Sequence, residues 1–265
     1  MTEASPAKIP SLFVSHGAPT IVLDQSDAHK FLTKFPDAVP TPTSILVVSA
    51  HWETGIPHVS DATQPETIYD FRGFPDALYQ MTYPAPGAPD LAARTAELLN
   101  SADMGPVKFE GRGLDHGAWV PLMLGYPAAD IPVAQLSINP KETPAYHFNM
   151  GEALRPLRDE GVLILASGNL THNLSEFRGQ PIDAEPPEWV RKFDEWASWA
   201  IAEGRVEDLL NYRTLAPEAV RNHPTDEHLL PLFVALGAGT LTTPGRHLHK
   251  SYTYGVLAMD AYAFG

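Results

Sequence analysis

A chain of 265 residues with a formal net charge of −14 and no cysteine has no Lys/Arg-rich stripe to hold a nucleic-acid backbone or an anionic membrane surface. The lack of thiols excludes disulfides, cysteine-ligated zinc and thiol catalysis, so any metal must be held by nitrogen and oxygen. The length suits one well-buried core, and a single domain over residues 1–265 is expected.

The opening MTEASPAKIP has neither the basic start nor the apolar stretch of a secretion signal, and no apolar run approaches a membrane span. A cytoplasmic protein is expected. The run SLFVSHGAP then predicts a buried strand over residues 12–15, closing on His16, where Gly17 permits a sharp turn and Pro19 stiffens the exit. SILVVSAHW predicts a second strand over 45–49, with His51 and Trp52 behind it. Helical periodicity over 90–101, with Asp90 as N-cap, precedes GLDHGAWVPL, which reads as a loop with His116 beside Asp115 and Gly117. A strand over 133–138 and a helix over 145–160, stopped by Gly161, come next. The strand over 162–166 continues through SGNLTHN to His172. A helix over 188–203 ends at Gly204. In NHPTDEHLLPL a helix over 227–236, opening around Thr225 and stopped by Gly237, would carry Asp226, Glu227 and His228 in or near its first turn. The aromatic and β-branched tail HLHKSYTYGVLAMDAYAFG predicts a strand near the sheet edge, antiparallel to the rest.

Strands and helices alternate, so the expected class is α/β: a central, mostly parallel sheet flanked by helices, with the active site at the carboxyl ends of the strands. The 26 prolines concentrate in connections such as 36–42, 84–89 and 181–187, which predicts long ordered loops shaping a pocket.

Residues at the carboxyl ends of strands in such a sheet meet in one crevice, so His16, His51 and His172 converge although they are far apart in sequence. Clustered neutral imidazoles are metal-binding chemistry. The third ligand is open at this level. His228, kept neutral by the positive end of a helix, would serve, and so would Glu227 in a two-His-one-carboxylate set. Asp226 and Glu227 could equally do no more than complement the helix dipole. His116 reads as a loop histidine paired with Asp115, and His172 as an acid/base near neutral pH. His29, His58, His147, His247 and His249 read as surface or structural residues. No dinucleotide, Walker, nucleophile-elbow or HExxH motif is present.

In order along the chain, SHGAP, SAHW, YDFRGFP with YPAPG, GLDHGAWVPL, SGNLTHN and NHPTDEHLLPL resemble the DOPA-type extradiol dioxygenases, the class III or LigB-like ring-cleaving family. The likeness runs from Ser15 to the closing MDAYAFG. It implies a mononuclear non-haem Fe(II) enzyme that opens a catechol ring beside its two hydroxyls with O2, its partners being the small-molecule catechol and O2. By position it makes His16, His51 and His228 the metal ligands. It makes His172 the acid/base, close enough to coordinate as well, and His116 a second pocket histidine that steadies oxygen or substrate. The protocatechuate-cleaving branch has a glutamate as third ligand, so His228 aligns this chain with the DOPA-like branch and leaves the role of Glu227 open. Zn(II) could occupy the site, because divalent affinity generally favours it over Fe(II). The segment around Tyr69 and Arg72 reads as core packing or as pocket wall. In the second case Tyr69 would stack on or hydrogen-bond the ring and Arg72 would meet a substrate carboxylate. Two other readings of the same histidines stand beside this one: a zinc hydrolase using a metal-bound water, separated by oxygen dependence, and a non-catalytic metal-binding module, which would need neither His172 nor His116.

Overall fold

Leu12 and Val14 pack into one hydrophobic core and Phe13 into another, the period-2 signature of a strand buried on both faces. The same alternation places Ile45 and Val47 against Leu46 and Val48, and Leu163 and Leu165 against Ile164 and Ala166. In the computed structural model, which describes residues 8–240 and 243–265, the strands are β1 (Ser11–Ser15), β2 (Ser44–Glu53), β3 (His58–Ser60), β4 (Lys108–Glu110), β5 (Val133–Ile138), β6 (Val162–Gly168), β7 (Arg246–His249), β8 (Tyr252–Thr253), β9 (Leu257–Ala258) and β10 (Ala261–Phe264). Eight of them form one sheet in the order β4-β3-β5-β2-β6-β1-β10-β7, while β8 and β9 pair separately. The central β5-β2-β6-β1 ladder is parallel. The tail joins it antiparallel through β10, as expected, with β7 outermost.

The helices are α1 (Asp27–Leu32), α2 (Pro89–Ser101), α3 (His116–Gly125), α4 (Pro144–Leu154), α5 (Glu188–Ala202), the short α6 (Val206–Leu210), α7 (Tyr212–Leu215) and α8 (Ala219–Asn222), and α9 (Leu230–Ala238). One core lies under α2, α4 and α9, with part of α5; the other lies under α1 and α3. This is the expected α/β sandwich. Among the described residues no helix is long and apolar enough to cross a membrane. Residues 1–7, which include most of the opening segment read above for a leader, lie outside the described residues.

Four local expectations need correction. The helix over 145–160 stops at Leu154 and continues as a 3-10 turn, Arg155–Arg158, because Pro156 has no N–H to extend the α ladder. Asp90 lies in the first turn of α2, whose N-cap is Ala88. The helix expected from residue 227 begins at Leu230, with Pro231 in its first turn, where proline's fixed φ and missing N–H are tolerated. His228 and Glu227 therefore stand in the turn before it. Finally, GLDHGAWVPL is no loop. Asp115 caps α3 by accepting from the Ala118 N–H at 3.2 Å, and the helix runs on through Pro121.

Candidate metal and catalytic site

β1 and β6 end side by side, Ser15 opposite Gly168, so the residues that follow them enter the same crevice. His16 is the first residue past β1, and Gly17 behind it turns at φ +65°, a conformation that costs glycine little. The His16 ring is 1% exposed. Its Nδ1 lies 3.0 Å from Ser167 Oγ, and that hydroxyl donates its own hydrogen to the Gly117 carbonyl. Ser167 must then accept from His16, which puts the imidazole hydrogen on Nδ1 and leaves a lone pair on Nε2.

His51 arrives differently. β2 pairs with β5 through Val48 opposite Leu136 and resumes only at Glu53 opposite Ile138, an irregularity that lifts residues 49–52 out of the ladder with β5 while Ser49 still pairs with Ser167 of β6. Bulges of this kind re-aim side chains beside active sites. Here the result is His51 Nε2 at 3.0 Å from His16 Nε2.

His228 reaches the crevice because Gly168 lets its turn press onto the end of β6. A Cβ at position 168 would stand 2.1 Å from the His228 carbonyl oxygen, and the Asn169 N–H donates to that oxygen at 2.9 Å. His228 Nδ1 is 3.1 Å from Glu227 Oε1. Glu227 thus holds the imidazole from outside, as Ser167 holds His16. One nitrogen each from His16, His51 and His228 lies within 4.8 Å of the other two. Burial, and then repulsion among the rings, holds His16 and His228 well below the usual histidine range and His51 at about 3. All three are therefore neutral at physiological pH, as ligation requires. The lone pair freed on His16 Nε2, facing a second imidazole nitrogen in a buried site, is a donor set that fits a first-row divalent cation.

Two more imidazoles complete the crevice. His172, whose N–H donates to the Asn222 carbonyl, stacks on His228 with centroids 3.4 Å apart and planes 9° apart. Burial lowers it to about 4. It is therefore neutral in the free protein, below the near-neutral range expected of it. The His116 ring centroid is 3.9 Å from that of His51. The expected His116–Asp115 pairing does not occur: Asp115 is fully buried and accepts from Ser49 Oγ at 2.6 Å and from Gln135. His116 belongs to Asp70, which accepts from its backbone N–H at 3.0 Å and lies 2.9 Å from its Nδ1 with poor hydrogen-bond alignment. Asp70 Oδ2 is also 3.7 Å from His51 Nδ1.

The five histidines line a cavity of about 520 Å³. Its remaining wall is largely apolar, with Phe71, Phe74, Leu174 and Phe177 prominent. Tyr69 and Arg72 are not among the lining residues. The Tyr69 hydroxyl donates to the Met81 carbonyl at 2.7 Å while its ring packs against Phe71, Tyr79 and Trp119, and Arg72 is exposed. The wall contributed by this segment is Phe71 and Phe74. Asp70, Ser167 and Glu227 were legible as residues but not as partners. Long-range pairing sets Asp70 and Ser167 there, while Glu227 adjoins the histidine it holds; the carboxylate in YDFRGFP was a signal that could have been followed. Away from the crevice, His147 is fully buried, His58 pairs with Glu110, His29 with the Ile21 carbonyl and His247 with Asp260, while His249 stacks on Phe31. These match the surface or structural roles expected.

A family model described as the catalytic LigB subunit of aromatic ring-opening dioxygenase matches residues 10–265. The chain is 43% identical over 264 residues to a 4,5-DOPA dioxygenase extradiol of Beta vulgaris, covering 96% of each chain. It is 45% identical over 259 residues to the protein of that name from Portulaca grandiflora, covering 96% of this chain and 95% of the relative. The Escherichia coli protein of the same name is 43% identical over 237 residues, 88% of this chain and 86% of its own. A crystal structure of an uncharacterized protein from Escherichia coli K12 superimposes with a TM-score of 0.82 at 37% identity, covering 97% of this chain and all of that one.

Proposed function

The chain belongs to the LigB family and is an extradiol ring-cleaving dioxygenase, and we propose that it uses non-haem Fe(II), held by His16, His51 and His228, to open a catechol ring beside its diol with O2. The observation that carries this reading is the 3.0 Å approach of two neutral imidazole nitrogens, His16 Nε2 and His51 Nε2, beside His228. When bound, Fe(II) supplies a redox-active centre at which catecholate and O2 meet and exchange electron density, which Zn(II) cannot do.

The chain's own residues supply the rest. His172 enters as a base, since burial keeps it unprotonated at neutral pH, and takes the proton of one catechol hydroxyl as the substrate seats. It then carries that proton for return to the product. Its stacking on His228 fixes the plane of the ring during both transfers. His116, tied to Asp70, stands beside His51 as a second pocket imidazole that steadies oxygen or substrate. The apolar wall excludes water and holds the ring flat against the histidines, so the reaction proceeds between oriented groups. Relatives named for 4,5-DOPA support catechols as the substrate class.

The test is O2 uptake recorded together with absorbance, after stripping the protein, reloading it anaerobically with Fe(II) or Zn(II), and admitting air with a panel of catechols that includes DOPA and caffeate. Iron-dependent O2 consumption with a yellow ring-opened product is expected, and none with Zn(II). Absence of uptake at confirmed iron occupancy across the panel would count against the reading.

A further inference from the structure

The end of β6 is stitched to the end of β1 by three hydrogen bonds. The His16 N–H donates to the Gly168 carbonyl at 2.9 Å, the Gly17 N–H to Asn169 Oδ1 at 3.0 Å, and the Leu170 N–H to Ser15 Oγ at 3.1 Å. Asn169 stands in the middle of this seam, and its own N–H donates to the His228 carbonyl at 2.9 Å. One residue thus ties together the segments that carry two of the three metal-site histidines. Its side chain can face only one way: a backbone N–H can only donate, so the amide atom that meets Gly17 is the oxygen, and the NH2 group points away from it. Asn169 is 1% exposed and lines the cavity together with His16, His172 and His228, yet among the described residues its amide nitrogen has no hydrogen-bond partner. Buried donor hydrogens are costly unless the occupant of the cavity accepts them. No lysine or arginine is among the lining residues, so an anionic oxygen bound there depends on neutral donors besides any metal. The Thr20 and Tyr254 hydroxyls also line the cavity, but on half-buried residues; the Asn169 amide is buried and fixed.

From this placement we propose that Asn169 is a further catalytic residue: its Nδ2–H donates to a diol oxygen of the bound catechol and stabilises the negative charge left there when His172 takes the proton. The proposal rests on the ring-cleaving reading and on His172 as its base. Asn169 and His172 follow the same strand, three residues apart, so one loop supplies both the acceptor of the proton and the donor to the resulting oxyanion. No proton leaves the amide; it stays bonded to nitrogen while the proton from the diol resides on His172. A donor fixed before the substrate arrives needs no reorganisation as charge forms, and a hydrogen bond to a charged oxygen in a site closed to bulk water is a strong one.

The test uses two variants. Asn169→Asp keeps an oxygen for the Gly17 N–H but has no N–H to give, and Asn169→Ala removes the donor without adding charge. The probe is 4-nitrocatechol, whose absorbance reports its ionisation, titrated into the Zn(II)-loaded protein, where no turnover competes. Both variants are expected to hold zinc as the unchanged protein does, to bind the probe about tenfold more weakly or worse, and to ionise it at a pH about 1 unit higher for each tenfold lost. On the Fe(II)-loaded protein kcat should fall by about 10²–10³-fold, the usual cost of removing one such donor, and alike for 4-methylcatechol and 3-(3,4-dihydroxyphenyl)propanoate. Loss of zinc from either variant, or undiminished probe binding by Asn169→Ala, would overturn the proposal. A loss confined to the propanoate would put the amide on the carboxylate and overturn the diol assignment. If the probe responds as expected but the unchanged protein consumes no O2, the ring-cleaving reading fails and the oxyanion contact stands. If O2 is consumed and Asn169→Ala matches the unchanged protein, the contact fails and the reading stands.

Discussion

His16 and His228 are each gripped at Nδ1, by Ser167 and Glu227, so each has its other nitrogen free for a metal. Among the described residues no hydrogen bond holds the ring of His172, which stacks on His228. The two kinds of histidine should therefore respond differently to substitution. His16→Ala is expected to leave the protein without its metal after anaerobic Fe(II) loading and desalting, measured as iron per chain. His172→Gln should keep full iron content while kcat falls by about 10²–10⁴-fold, the usual contribution of a positioned acid/base. Full iron in the first variant, or full turnover in the second, would remove the corresponding role. At this scale the sequence showed which histidines follow strands, because that depends on local pattern. It did not show their partners. Asp115 looked like the neighbour of His116, yet it is buried as a helix cap against Ser49 and Gln135, and Asp70, 46 residues away, takes its place.

Three backbone devices deliver these side chains: the lifted segment 49–52 of β2, the close approach of α3 to β2 at Gly117, and the turn before α9 pressed onto Gly168. Gly117 is the most testable. A Cβ there would lie 2.4 Å from Ser49 Oγ and 3.0 Å from His51 Cδ2, so Gly117→Ala must push α3 away from β2 and displace His51. A loss of metal affinity of about 10–100-fold is expected, the size typical of disturbed outer partners, measured by competition with a chelating dye. Unchanged affinity would show that α3 does not set the position of His51. The buried parallel strands were legible as Val/Ile/Leu runs, and β5 matches its expected span of 133–138. Less legible was α3, because Gly117 and Pro121 disguise a helix whose environment is almost wholly buried. The start of α9 was displaced because the acidic residues at 226 and 227 imitate a first turn that Pro231 actually occupies.

Over the whole molecule, buried neutral imidazoles link stability to pH. His147 is the clearest case outside the crevice: its Nδ1 donates to the Thr143 carbonyl at 2.9 Å and its Nε2 accepts from the Asn139 N–H at 3.2 Å. Burial lowers it from 6.5 to about 4, and His223 likewise. The folded state then binds fewer protons than the unfolded state below pH 6.5, so stability falls as pH drops from there and the loss is complete near pH 4. The cost is on the order of 3 kcal/mol for each such group. Denaturant unfolding of the metal-free protein at pH 7 and pH 5 should show this decline, and His147→Gln, which keeps a donor and an acceptor but cannot titrate, should lessen it. An equal slope in that variant would exclude His147 as a source. The sheet order carries a consequence of another kind, in the timing of synthesis. β1 lies between β6 and β10, so the strand that delivers His16 emerges from the ribosome about 150 residues ahead of its first neighbour and about 250 ahead of its second. Such distant pairings form late. The ion is therefore captured by a nearly finished molecule and cannot serve as the seed around which the chain assembles.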